Sequence, residues 1–517
     1  MSGVNFPVDD TGKRSTTTPA KTIWCGAFEG CSDQLVSGIR EEQNWRHKYG
    51  DHVYELTKES LKSPEASIKV AENGLKAVYE TFDFVRDGES CKLAQAMEKY
   101  TDTTPMTGFV ESKGETQVDL EKAVSIPFDS NNYSGDELIE LLQSKAEAGE
   151  IEQDVVESIK KIITNAKDWR DSLKDTYFVL FGATSELCPF EKLLELGLNV
   201  IAVARPNAER QARLIEAAEC APKGATLTVP VLKPVDDAKK LEDKGFLASV
   251  CGCDIITHAP ELRNWLVSLY PGKRFCIGSY IYLDGAKHVL ASVAMDAVLK
   301  DVLKHRENAC LTYLGTPAVV YPITKAAYED SKRRFEESRP WWQSITSAIL
   351  GPYTMNMSPP VVADSIDTRA QDQAKEIYLF NGIANVQGPN YLLAKTIQNW
   401  RVVVTREVLK RRVSVNMAPT CKTDSVMHVA SVANAVRGMK VFAPLVAYEP
   451  ESAKGIMGLL LIYDMCSEDS AANPAVILKN PMEIFATNGV HGGLWRCPYS
   501  FESIGKTSYV AGLLKLS

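Results

Sequence analysis

The sequence predicts an α/β fold, a doubly wound parallel sheet preceded by a mainly helical extension. Three observations indicate this. From about residue 176 onward, short continuous apolar runs recur, each bounded by Gly, Pro, Asn or Asp, as is typical of strands buried on both faces. Amphipathic helical stretches separate many of these runs, which favours a parallel sheet. Before residue 172, apolar residues instead recur at spacings of three and four, which favours helices.

Composition and charge bound the class of protein. A chain of 517 residues has room for one large α/β domain with additions. The net charge of −8 argues against a general nucleic-acid binder, and no apolar run approaches the roughly 20 residues that span a bilayer. We therefore expect neither nucleic acid as a partner nor a membrane span.

The twelve cysteines include no Cys-x-x-Cys pair, and Cys251 and Cys253 have the closest spacing. This spacing disfavours a metal site or a disulfide framework and fits reduced thiols. The N-terminus lacks a secretory apolar core. We expect a cytoplasmic protein without a metal, with import into an organelle left open.

Three regions follow from these patterns. Residues 1–22 are polar and are expected to be mobile. Residues 23–172 form the mainly helical extension, in which 65–80 carries apolar residues at helical spacing. Residues 173–517 form the α/β domain, and we expect an insertion at about 310–374 to cover the substrate pocket as a lid, with Trp341, Trp342 and Tyr353 lining it or lying in plain core.

The α/β domain opens with a strand–turn–helix–strand unit. Tyr177–Phe181 is an apolar strand, Gly182 begins a turn, a helix follows Pro189, and 198–204 is the second strand. In such a unit a pyrophosphate binds where the turn meets the helix N-terminus. Further strands are predicted at 226–232, 254–260 and 275–284, with a long helix over 285–305.

The most informative stretch is 375–425. Glu376–Phe380 is predicted as a buried strand, and a Gly/Pro/Asn loop leads to Tyr391-Leu-Leu-Ala-Lys395 on a helix. Another strand follows at 413–417 and ends in Ala-Pro-Thr. Tyr391 and Lys395 lie one helical turn apart on one face. An ammonium there would lower the phenol pKa and make the tyrosine a general acid or base near neutral pH.

This order of strand, loop, Tyr-x-x-x-Lys helix and strand resembles the short-chain dehydrogenase/reductase family, which has a Rossmann fold. The resemblance covers roughly 174–515 and implies hydride transfer between a nicotinamide cofactor and a small or lipid-like carbonyl or alcohol. It implies Tyr391 as the proton donor, Lys395 as its activator, and a homodimer or homotetramer. The residues implied to line the cofactor are Gly182, Thr184, Ser185, Arg205, Ala259, Pro419 and Thr420.

The sequence departs from the family pattern in two places, the nucleotide loop and the position of the serine. Glu186 and Cys188 stand where the nucleotide loop usually has glycines, and the serine expected about 13 residues before the tyrosine is missing, with Asn381 as its substitute. An arginine at 205, rather than a carboxylate, favours NADP over NAD. A catalytically silent scaffold that binds partners is the alternative, and a non-redox enzyme on the same fold also stays open.

Overall fold

The computed structural model describes residues 2–337, 339–357, 359–364 and 376–516. The part before residue 173 is rich in helix, and its helices are α1 (Thr17–Ala27), α2 (Asp33–Glu41), α3 (Trp45–Ser60), α4 (Pro64–Thr81), α5 (Leu93–Lys99), α6 (Leu120–Ala123), α7 (Gly135–Ala148) and α8 (Gln153–Ser172). Its strands are β1 (Gly3–Asn5), β2 (Asp83–Arg86), β3 (Glu89–Lys92), β4 (Met106–Glu111), β5 (Ile126–Phe128) and β6 (Asn131–Tyr133).

The remainder of the chain alternates strands and helices. Its strands are β7 (Thr176–Phe181), β8 (Asn199–Val203), β9 (Thr226–Val231), β10 (Arg274–Ser279), β11 (Cys310–Gly315), β12 (Val320–Ile323), β13 (Val361–Val362), β14 (Glu376–Asn381) and β15 (Val413–Met417). Its helices are α9 (Phe190–Glu195), α10 (Ala208–Cys220), α11 (Lys244–Val250), α12 (Ala259–Ser268), α13 (Ala286–His305), α14 (Lys325–Glu337), α15 (Trp341–Leu350), α16 (Gly388–Val403), α17 (Asp424–Met427), α18 (Ala430–Gly438), α19 (Pro450–Cys466) and α20 (Phe501–Leu513).

A seven-stranded sheet forms the centre of the molecule, in the order β15-β11-β10-β7-β8-β9-β4. Its first six strands are parallel, and β4 is added antiparallel to β9 at one edge. The parallel strands consist almost entirely of buried residues. Continuous apolar strands of this kind are expected where helices cover both faces. The prediction of an α/β fold with a largely parallel sheet is confirmed.

One predicted strand is wrong. Residues 254–258 form a turn, and α12 begins at Ala259. The carboxylate of Asp254 accepts a hydrogen bond from the backbone N–H of Ile256, and its carbonyl accepts one from His258. Because Asp254 closes this turn and Pro260 suits the first turn of a helix, the apolar run does not extend as a strand. The next strand of the parallel set is β10.

A second correction concerns the strand before Tyr391. β14 does not belong to the central sheet, because it pairs antiparallel with β12 and β13 in a separate small sheet. β11 takes the place expected for β14, beside β10 and β15. The insertion therefore follows Gly315 and extends to the start of α16, rather than spanning 310–374. Residues 365–374 of the predicted insertion lie outside the described part of the chain.

The N-terminal part packs directly on the α/β domain. β1 is buried and pairs with β2, so the expectation that residues up to 22 are mobile is wrong for this strand. Gly74 of α4 lies against the ring of Trp400 in α16, where a Cβ atom would come within 2.5 Å of the indole. Trp24 of α1 meets the same indole edge to face at 5.5 Å between ring centroids. The extension thus supports the helix that carries Tyr391.

No helix of the described chain combines the length and the apolar character needed to cross a membrane. All twelve cysteines are free thiols. Within the described residues, no group of three or more His, Cys, Asp or Glu side chains is arranged to hold a metal ion.

Candidate active site

Tyr391 and Thr316 meet at the carboxyl end of the central sheet. Tyr391 lies in the first turn of α16, where Pro389 is tolerated because the first N–H groups of a helix have no partner within it. Thr316 directly follows β11 and is buried. The Tyr391 hydroxyl donates to Thr316 Oγ1 at 2.8 Å. The hydroxyl that the sequence lacks 13 residues upstream is therefore present 75 residues upstream, on the far side of the insertion.

Lys395 lies one turn after Tyr391 and is half-buried. Its ammonium donates to Gln398 Oε1 at 3.3 Å, and Gln398 Nε2 donates to Ser279 Oγ at the end of β10 at 3.3 Å. Burial lowers the pKa of Lys395 to about 8. The side chain is therefore charged at neutral pH but loses its proton under mildly alkaline conditions.

The expectation that Lys395 lowers the phenol pKa is wrong for this structure. Burial raises the pKa of Tyr391, and the hydrogen bond to Thr316 lowers it by less. The phenol is thus firmly protonated at neutral pH, since desolvation disfavours the phenolate. A protonated Tyr391 is suited to giving a proton to a substrate oxygen.

His288 is a site residue that the sequence did not single out. It lies in the first turn of α13, and its ring stacks on Tyr391 with centroids 5.5 Å apart and planes 10° apart. Its Nδ1 accepts from the backbone N–H of Leu283 at 3.3 Å, so Nε2 carries the ring proton. Burial, with the charge of Lys395, lowers the His288 pKa to about 3, which keeps the ring neutral.

The Nε2 atom of His288 is buried and has no hydrogen-bond partner in the described structure. A buried donor without an acceptor costs free energy, and such groups occur at sites that receive a ligand. The sequence carried one signal for this residue: a histidine in the first turn of a helix that follows a buried strand.

The turn after β7 requires a glycine. Gly182 has φ +81°, and a Cβ there would lie 2.9 Å from the backbone nitrogen of Ile281. Thr184 and Ser185 are half-buried in the same turn, and Ser185 N–H donates to the Gly182 carbonyl. The loop after β10 therefore packs closely on this turn.

Glu186 is exposed, and its carboxylate accepts hydrogen bonds from the backbone N–H of Asp424 at 3.1 and 3.2 Å. Asp424 begins α17, soon after the end of β15. The Glu186 carboxylate is thus held by a segment that follows β15 and contacts the turn after β7.

The other predicted site residues are dispersed. Arg205 follows β8 and is exposed, while Pro419 and Thr420 follow β15, with Pro419 buried. Ala259 is fully buried in the first turn of α12 and lies in the core. Asn381 belongs to β14, and its side-chain oxygen accepts from Ile383 N–H at 3.1 Å. The structure thus places Thr316, and not Asn381, against the Tyr391 hydroxyl.

No protein-family model matches the chain, and comparisons with curated proteins and with solved structures likewise yield no match. The geometry of Tyr391, Thr316, Lys395 and His288 therefore carries the functional argument.

Proposed function

We propose that the protein is an NADP-dependent oxidoreductase that interconverts a carbonyl and an alcohol, with Tyr391 as the proton donor. The observation that carries the proposal is the 2.8 Å hydrogen bond between Tyr391 and Thr316, with Lys395 one helical turn away. The site therefore contains a phenol, a hydroxyl and an ammonium group at the carboxyl end of a parallel sheet. These groups suit general acid–base catalysis at a substrate oxygen atom.

The strand order supports a dinucleotide site. Numbered along the chain, the six parallel strands lie in the order 3-2-1-4-5-6, from β9 at one side to β15 at the other. This is the order of doubly wound Rossmann-type folds, in which ligands bind beyond the carboxyl ends of the strands where the order reverses. In this chain the reversal falls between β7 and β10, the strands followed by Gly182 and by the loop leading to His288.

Several residues fit a bound dinucleotide. The positive φ of Gly182 makes the tight turn that brings backbone close to a pyrophosphate, and exposed Arg205 suits a 2′-phosphate. Lys395 is half-buried and donates a long hydrogen bond to Gln398 Oε1 at 3.3 Å, so its ammonium suits the ribose hydroxyls. The buried Nε2–H of His288 has no partner among the described residues, so it is free to donate to a ligand oxygen beside Tyr391. When bound, the cofactor supplies the hydride.

The chain's own residues handle the proton. The Tyr391 hydroxyl gives its proton to the carbonyl oxygen as the oxygen becomes an alcohol, and Thr316 orients that hydroxyl. Lys395 is cationic at neutral pH and lies one helical turn from the phenol, where it would hold the ribose of the cofactor. His288 stays neutral, so it donates a hydrogen bond without competing as an acid.

Calorimetric titration with NADPH and NADH tests the proposal. We expect saturable NADPH binding, and Arg205→Ala should weaken NADPH binding by about tenfold or more while leaving NADH affinity unchanged, because the lost contact is to the 2′-phosphate. Exposed Arg213, paired with Glu209 on α10, provides a matched arginine-to-alanine control. Absence of binding by both nucleotides would overturn the proposal.

Cofactor affinity should also depend on pH. Lys395 is charged below its pKa of about 8 and neutral above it, so NADPH affinity should fall by up to about tenfold per pH unit above that value. A variant with Lys395→Arg keeps its charge throughout this range and should show a flat profile. The NADPH Kd of both proteins should be measured at pH values below and above about 8. A wild-type Kd that does not change with pH would contradict a role for the Lys395 ammonium in NADPH binding.

One observation favours a second candidate, a catalytically silent scaffold. Glu186 places a carboxylate in the turn after β7, where a phosphate would be repelled, and Asp424 N–H holds it there. If the protein is such a scaffold, calorimetric titration with NADPH or NADH should give no heat of binding. The Glu186→Gln variant should likewise give no heat of binding.

A further inference from the structure

An exposed apolar face lies on the insertion, on α15. Trp341 is 77% exposed, Ile345 53% and Ile349 75%, and these residues recur every four positions along one side of the helix. The helix contains no charged residue. The expectation that Trp341 lines a pocket is therefore wrong, because it faces outward. A face of this kind marks a contact with another molecule or with a membrane.

A second apolar face lies beside it on α20 and the residues that follow. Leu513, Leu514 and Leu516 are each more than half exposed. Tyr353 joins the two helices, since its hydroxyl contacts Thr346 Oγ1 of α15 at 2.6 Å and Thr507 Oγ1 of α20 at 2.9 Å. The two helices are therefore neighbours, and we call their exposed apolar side chains together the α15–α20 face.

The elements on the α20 side of this face carry a net positive charge, opposite in sign to that of the whole protein. The chain carries a net charge of −8. Four basic residues and one acidic residue lie in α18, in the short turn after it, in α20 and in the residues that follow α20. The basic residues are Arg437, Lys440, Lys506 and Lys515, all exposed. None of them forms an ion pair with a carboxylate of the described residues. α18 crosses α20 closely, with Gly438 and Gly512 at the crossing.

We propose that the α15–α20 face docks the protein on the surface of an anionic lipid bilayer. Tryptophan and aliphatic side chains would enter the headgroup region, and the surrounding lysine and arginine side chains would attract acidic lipids. A second copy of the chain fits this face less well, since a two-fold contact would bring the same cations together. The docking surface is independent of the chemistry proposed for Tyr391.

The first turn of α20 contacts the loop that leads into α16. Asn385, in the loop that leads into α16, donates a hydrogen bond to Glu502 in the first turn of α20.

Co-sedimentation of the full chain with vesicles tests the proposal. We expect binding to vesicles of phosphatidylcholine mixed with phosphatidylserine, weaker binding to pure phosphatidylcholine, and a loss of affinity as salt increases. The double variant Ile345→Glu/Ile349→Glu should bind about tenfold or more weakly. Ile477→Glu, an exposed isoleucine outside this face, is the matched control and should bind as wild type does.

Two further measurements separate the contribution of the lysine charges to vesicle binding from that of the apolar side chains. Lys506→Gln/Lys515→Gln should lower affinity for the anionic vesicles by about fivefold per lysine and leave binding to neutral vesicles unchanged. Vesicles should shift the tryptophan emission to shorter wavelength in wild type but less in Trp341→Phe. The proposal is overturned if the wild-type protein does not bind anionic vesicles, or if Ile345→Glu/Ile349→Glu binds them as tightly as wild type. It is also overturned if the wild-type protein is a dimer and this variant is a monomer.

Discussion

Replacement of Tyr391 by phenylalanine should lower kcat for carbonyl reduction by about 10²–10⁴-fold and leave the fold intact. The change removes the hydroxyl that donates to Thr316 and keeps the ring that stacks on His288. Affinity for NADPH should change little, since the phenol acts on the substrate oxygen. Stopped-flow measurement of NADPH oxidation, with a thermal melt of the variant, checks both expectations.

The chain contains its own control for this prediction. Tyr328 and Lys332 form another Tyr-x-x-x-Lys pair on α14, where the ring of Tyr328 packs tilted against Tyr378 at 4.8 Å between centroids. Tyr328→Phe should retain full activity, because its ring packs against Tyr378 and the hydroxyl that donates to Thr316 is that of Tyr391. Thr316→Val, which removes the partner hydroxyl with little change of shape, should impair turnover in the same direction as Tyr391→Phe. Full activity of Tyr391→Phe would exclude the tyrosine as proton donor.

The local patterns predicted the elements well. Continuous apolar runs gave the strands β7, β8, β9 and β15, since strands covered on both faces need apolar side chains throughout. The helix spacing around Tyr391 was also correct, and so was the long helix over 285–305. These features depend on residues close together in the chain, which is why a single sequence reveals them.

Membership of a sheet was harder to predict. β11 and β14 are both short apolar strands, and their composition does not tell which of them lies beside β10. The family pattern places a sheet strand directly before the tyrosine, and β14 is the strand closest before Tyr391 in the chain. The insertion between β11 and α16 displaced Thr316 by 75 residues in sequence while leaving it against the tyrosine in space. Pairing over such distances is decided by tertiary packing.

The pKa of the Tyr391 phenol also could not be predicted from the spacing of Tyr391 and Lys395 in the sequence. One helical turn between Tyr391 and Lys395 suggested a lowered phenol pKa, yet burial raises it. Desolvation depends on the elements packed around a group, including the loop after β10 and the start of α13 that brings His288 onto the ring. His288 escaped notice for the same reason, because its contact with Tyr391 exists only in the folded chain.

The largest effect on stability is expected at a buried ion pair on the same helix as Tyr391. Arg401 of α16 holds both oxygens of Asp296 of α13, with Nε to Oδ1 at 2.7 Å and Nη2 to Oδ2 at 2.9 Å. Tyr79 of α4 joins the pair, accepting from Arg401 at 2.7 Å and donating to Asp296. Three helices from both parts of the chain therefore meet at one buried polar cluster.

Arg401→Met should lower the free energy of unfolding by about 3–5 kcal/mol, because it leaves the Asp296 carboxylate buried without its cation. Urea unfolding followed by circular dichroism measures this loss. The exposed pair of Arg213 and Glu209 is the control, and Arg213→Met should change stability by less than about 1 kcal/mol.

The triple variant Tyr79→Phe/Asp296→Leu/Arg401→Met separates two explanations of that loss. If the cost comes from the stranded carboxylate, removal of all three polar groups should recover most of the stability, since apolar replacements of a buried cluster are often neutral. If the triple variant is as unstable as Arg401→Met, the cluster itself holds α4, α13 and α16 together. In that case the N-terminal extension stabilises the fold through the Tyr79 hydroxyl as well as through the packing of Gly74 on Trp400.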